Sequence, residues 1–175
     1  MRLLFQDEAR FGRICDPRRC WAPFPVRPEV GAQIVREYSY AFAAVCPHDG
    51  TFHSLVLPEV DSVAMSIFLA EVARHHTDEF LLIVLDGAGW HHSQELVVPD
   101  NVRLLPLPPY SPQLNPVEHI WDDTREKYFT NVVFDSLDAV DDRLVEAMAS
   151  LHADPERTQS IAGFEWMVNI SMNAN

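Results

Sequence analysis

No apolar run in the sequence approaches the roughly 18 residues of a membrane span, and the first residues lack a secretory leader's basic-then-apolar order. A helical membrane protein is excluded, and a cytoplasmic setting is the expectation. Cysteine is scarce. Cys15, Cys20 and Cys46 make an odd count with no CxxC pair, so a zinc site from Cys15, Cys20 and a distant His would lack the usual paired spacing. Positive charge is scarce too: 13 Lys and Arg stand against 26 Asp and Glu, a net −13. Phosphate neutralisation supplies most non-specific affinity for nucleic acid, so stand-alone binders are usually basic. This chain therefore either avoids nucleic acid or leaves the grip to another domain and to cations. Clustered carboxylates that hold divalent metal would raise the negative count for a functional reason; a solvated acidic surface does so as well.

What is present suits one well-buried domain over residues 1–175, with 47% apolar and 22% charged residues and no internal repeat. The run RLLFQ at 2–6 predicts a short strand delivering Asp7 at or near its end. Residues 12–36, with four prolines and Arg18-Arg19, read as a hairpin or irregular excursion around Trp21. YSYAFAAVC at 38–46 and TFHSLVL at 51–57, joined by Pro47-His48-Asp49-Gly50, predict an antiparallel hairpin. Asp61 caps a helix over about 62–76 with an apolar face of Val63, Ile67, Phe68 and Val72, and His75-His76 suit its negative C-terminal end. FLLIVL at 80–85 is a strand buried on both faces that stops at Asp86, and VRLL at 102–105 reads as another short buried strand. A helix over about 136–151 follows from Leu137, Val140, Leu144, Met148 and Leu151, and Asp154-Pro155 starts a last helix towards Trp166. The order gives an α/β fold with a mixed central sheet flanked by helices.

The stiffest stretch is LLPLPPYSPQLNPVEHIW at 104–121. Its prolines fix φ and keep their predecessors extended until Asn115, a good N-cap, meets Pro116 at the first helical position. Glu118 then falls on the first turn. One reading is a capping box, with Glu118 reaching back to the Asn115 N–H. The other is a carboxylate placed for chemistry. Asp7 and Asp86, both read at strand ends, make a set of three with it, and open α/β sheets carry their sites at such ends. Carboxylates that converge repel unless a cation neutralises them, and an all-oxygen cluster suits Mg²⁺ or Mn²⁺. Two such ions about 4 Å apart can activate a water and stabilise the leaving oxygen of a phosphodiester.

FQDEARFG at 5–12, VLDGAGWHHS at 84–93 and PPYSPQLNPVEHIW at 108–121 resemble the three acidic motifs of DDE transposases of mariner-related bacterial insertion sequences. The resemblance extends over nearly the whole chain. It implies an RNase H-like fold, with Asp7, Asp86 and Glu118 as catalytic and metal-binding triad. It implies Mg²⁺- or Mn²⁺-dependent cleavage and strand transfer with two ions, water and then a DNA 3′-hydroxyl acting as nucleophiles. The partners implied are transposon ends and target DNA, with a homo-oligomer assembled on DNA.

Neighbouring residues carry competing readings. His91 and His92 could touch DNA or start a helix; Arg10 and Arg125 could meet phosphate or form ordinary ion pairs. Glu8 lies on the opposite side of the strand from Asp7. Asp122, one turn after Glu118, could face the cluster, whereas Asp123 points elsewhere, and Trp90 and Trp121 read as core. Two features depart from the family. The chain starts almost at the first motif, so the basic helix-turn-helix region is expected to be absent from it. The helix after Trp121 continues Asp122-Asp123-Thr124 where a more basic helix is expected. Alternatives are a non-catalytic remnant and another RNase H-like metal-dependent nuclease.

Overall fold

The computed structural model describes residues 1–15, 17–87 and 95–168. Strands β1 (Arg2–Ile14), β2 (Ile34–Val45) and β3 (Phe52–Leu57) form an antiparallel meander. Helix α1 (Ser62–Arg74) then crosses to β4 (Leu81–Leu85), which runs parallel to β1, and β5 (Val102–Pro106) lies parallel outside β4. The sheet order is β3-β2-β1-β4-β5. Helices α2 (Val117–Thr124), α3 (Leu137–Ala153) and α4 (Pro155–Ala162) follow, and a short helical turn over 165–168 ends the described chain. No helix among the described residues is long and apolar enough to cross a membrane.

Alternation along β1 sorts the core onto two faces. Leu3, Phe5, Ala9 and Phe11 pack with Ile120 and Trp121 of α2 and with Val140, Leu144 and Met148 of α3. Leu4 packs with Phe42, Met65, Phe68 and Leu69 on the α1 side. Asp7 takes the odd-numbered, α2-facing side. The arrangement is three layers around a mixed sheet, as the element pattern predicts.

Five expectations need correction. β1 does not stop near Asp7: it continues to Ile14 because β2 pairs with it from Phe5 through Gly12, and Glu8 opposite Phe42 is tolerated inside that ladder. The apolar face of α1 is rotated: Val63 and Ile67 are exposed, and small residues Ala64 and Ala73 share the buried face with Met65, Phe68, Leu69 and Val72. β5 is an edge strand with only Val102 fully buried. The last predicted helix ends at Ala162, where Gly163 N–H caps back to the Gln159 carbonyl, well before Trp166. His75 does cap α1, but His76 is buried, with Nδ1 2.7 Å from Glu79 and Nε2 2.9 Å from His53.

The turn between β2 and β3 forms as its sequence predicts, and it is pinned from outside. Gly50 has φ +71°, and a Cβ there would lie 1.9 Å from the Pro155 carbonyl oxygen at the start of α4. Gly50→Ala is therefore expected to lower stability by about 2 kcal/mol or more, from the left-handed backbone and the displaced helix start together. Urea denaturation checks this; an unchanged midpoint would mean that α4 is not held against the turn.

Candidate active site

The site is set by where β4 stops. β1 pairs with β4 only over Arg2–Phe5, opposite Leu81–Val84. Asp7 is two residues further on, beside the C-terminal end of β4, from which Asp86 leads off exposed. A carboxylate inside a continuous strand is thus also at a strand-end crevice of the sheet.

The third acid comes from α2. Ser111–Asn115 make a tight turn in which the Asn115 N–H donates to the Pro112 carbonyl at 2.8 Å. The Asn115 side chain, 3% exposed, works in two directions: Oδ1 accepts the Val117 N–H at 3.2 Å, and Nδ2 donates to the Gln6 carbonyl at 2.9 Å. The first bond is the expected cap. The second ties the start of α2 to β1 beside Asp7. The Asn115 N–H that Glu118 would cap is already occupied, so the capping box is not formed.

Asp7, Asp86 and Glu118 line one cleft of about 450 Å³, walled by Leu107, Pro108, Pro109, Tyr110 and Pro112. Tyr110 is 101% exposed with φ +57°, an uncommon backbone for a bulky residue, on the rim of this cleft. Asp7 is 9% exposed, and one oxygen accepts the Trp121 indole N–H at 2.9 Å. Burial pushes its carboxyl up to about 7, the Glu118 charge adds to the rise, the Trp121 hydrogen bond opposes it, and Glu8 and Asp86 add smaller increments. Trp121 is core, as expected, and it also orients Asp7; nothing in the spacing of residues so far apart signals that bond.

The acids share a cleft without yet converging. Among the described residues, no group of three or more His, Cys, Asp or Glu side chains stands ready to hold an ion. The donor chemistry nonetheless fits a hard divalent cation: oxygen-only and negative, with burial first and the Glu118 charge second favouring a proton on Asp7. Asp122 lies outside the cleft lining, its side chain 78% exposed and 4.0 Å from Arg125. Asp123 ties α2 to α4 through Arg157 at 2.7 Å. Arg10 and Arg125 do not reach this cleft; they line a separate cavity. His91, His92 and Trp90 lie outside the described residues.

Residues 2–141 match the family described as DDE superfamily endonuclease. The "Uncharacterized protein y4pE/y4sA" of Sinorhizobium fredii (strain NBRC 101917 / NGR234) is 41% identical over 130 residues, 74% of this chain and 96% of its own. Similar solved structures include a pre-cleavage Mos1 transpososome, with TM-score 0.65 and 15% identity, covering 97% of this chain and 56% of that one. The Mos1 mariner paired end complex with Mn gives TM-score 0.64 and 15% identity, covering 97% of this chain and 55% of that one. At that identity the likeness is one of fold, and the chain spans about half the length of those chains.

Proposed function

The chain belongs to the DDE superfamily endonucleases, and from that premise we propose that it is the catalytic domain of a mariner-related, cut-and-paste transposase. One observation carries the reading: carboxylates from β1, from the end of β4 and from the first turn of α2 line a single cleft, with the buried Asp7 raised to about 7 by its burial first and by the Glu118 charge second. Asp7, Asp86 and Glu118 would hold Mg²⁺ or Mn²⁺, as two ions. When bound, such ions would activate a nucleophilic oxygen and stabilise the leaving one.

The chain's own residues prepare that chemistry. Trp121 holds one oxygen of Asp7 in place, and Asn115 locks α2 to β1 so that Glu118 keeps its distance from Asp7. Pro108, Pro109 and Pro112 stiffen the cleft wall. In cleavage a water oxygen bonds to phosphorus as the strand's 3′-oxygen leaves and takes up a proton. In strand transfer that 3′-hydroxyl attacks a target phosphodiester, and a target 3′-oxygen leaves. With a net charge of −13, grip on transposon ends and target DNA falls to a separate basic domain, in a homo-oligomer assembled on DNA.

The test is Mn²⁺-dependent nicking of supercoiled DNA. Asp86→Ala is expected to lower the rate by about 10²-fold or more, the scale of removing one preorganised electrostatic group. Nicking that persists in the variant would place the activity outside this cleft.

A further inference from the structure

Two non-glycine residues among those described have a positive φ, Asn131 at +61° and Tyr110 at +57°. Asn tolerates that backbone; for a bulky side chain it is strained. Tyr110 also leaves its whole ring in solvent, with no hydrogen-bond or ring partner among the described residues. A turn that needed only the left-handed backbone would be better served by Gly or Asn. The folded chain thus carries two penalties at one position and makes no contact of its own in return.

The backbone around Tyr110 is held rather than loose. Pro109 precedes it and Pro112 follows two residues later. The Ser111 hydroxyl donates to the Pro109 carbonyl at 3.3 Å, and the Leu114 N–H donates to the Ser111 carbonyl at 3.0 Å. Both ends of this wall are tied to the strands that bear acids. The Leu107 N–H donates to the Leu85 carbonyl at 2.7 Å, one residue before Asp86. Asn115 Nδ2 donates to the Gln6 carbonyl at 2.9 Å, one residue before Asp7. Tyr110 is therefore presented from a stiff span whose two anchors adjoin two of the three carboxylates, and it lines the same cleft as all three. Trp21 and Phe24 are about as exposed, but neither lines that cleft.

We propose that the Tyr110 ring stacks on a nucleobase of the DNA strand that enters this cleft. This rests on the DNA reading given above. The chemistry that fits an uncharged, unpartnered ring is another flat π-face, and every base offers one. Drawing a base out of its duplex stack costs free energy, which stacking on the ring offsets in part. The restrained left-handed backbone holds the ring outward before DNA arrives, so less ordering is left to be done on binding.

The experiment is fluorescence anisotropy at low salt in Mg²⁺ with two labelled single strands of equal length, one of mixed bases and one abasic throughout. Phosphate charge is then the same in both. The parent is expected to bind the base-bearing strand about tenfold more tightly. Tyr110→Asn, whose side chain suits the backbone, should remove most of that preference, keep the affinity for the abasic strand and hold the urea midpoint at or above the parent's. Tyr110→Phe should keep the preference. A parent without the preference, or one whose binding is too weak to measure, overturns the stacking role. So does an Asn variant that keeps the preference, loses both strands equally or unfolds at lower urea. Each of these leaves the nicking result to judge the nuclease reading alone. A preference that Tyr110→Asn removes, in a parent that does not nick, supports the stacking and sinks the nuclease reading.

Discussion

Asp7→Asn is expected to stabilise the protein by up to about 4 kcal/mol at pH 8 and to change nothing at pH 3. The folded carboxyl titrates near 7, against an ordinary value of 3.8, and each pH unit of difference is worth about 1.4 kcal/mol. Between those values the unfolded chain has released the proton while the folded chain still holds it. Raising pH therefore drains stability from about pH 4 to 7, and the penalty is constant above that. Asn carries no charge at any pH, and its Oδ1 can still accept the Trp121 N–H. The difference between the urea stabilities of parent and variant, followed from pH 3 to 8.5, isolates this group from the histidines. A gain that is the same at both ends would show that Asp7 is not held near neutrality by its surroundings.

The second large effect is that of metal. Mg²⁺ or Mn²⁺ at 100 times its Kd is expected to stabilise the fold by about 2.7 kcal/mol. For a domain of this size that is roughly 5–11 °C in melting temperature. Protons and cations compete for Asp7, so the shift should be large at pH 8 and shrink towards pH 5. The Asp7→Asn/Asp86→Asn double variant should lose most of it. A double variant that responds as strongly as the parent would place the ion elsewhere.

The strongest local signals survived comparison with the fold. The buried run at Leu81–Leu85, the turn before Thr51 and the Asp61 and Asn115 caps are all set by neighbours within a few residues. What could not be read depended on distant partners. The charged pair Asp7-Glu8 looked like a strand end because its tolerance inside a strand is set by β2, some 34 residues later. The face of α1 was misjudged because burial fell on alanines rather than on the larger Val63 and Ile67. His76 read as a dipole partner, since His53 lies on another element. At the site, the residue types Asp7, Asp86 and Glu118 were legible, but their mutual placement was not. It hangs on the bonds from Trp121 and Asn115 to β1, across 114 and 109 residues.

The Asn115 bond to the Gln6 carbonyl also has a temporal meaning. Asp7 and Glu118 belong to one cleft only after α2 has docked on β1. At about 5–20 residues per second of translation, the 109 residues between Gln6 and Asn115 take roughly 5–22 s to emerge. During that interval the growing chain carries Asp7, and Asp86 only for its last part, but no cleft. The chemistry proposed for this cleft therefore waits on α2, which must emerge and dock before Glu118 joins Asp7.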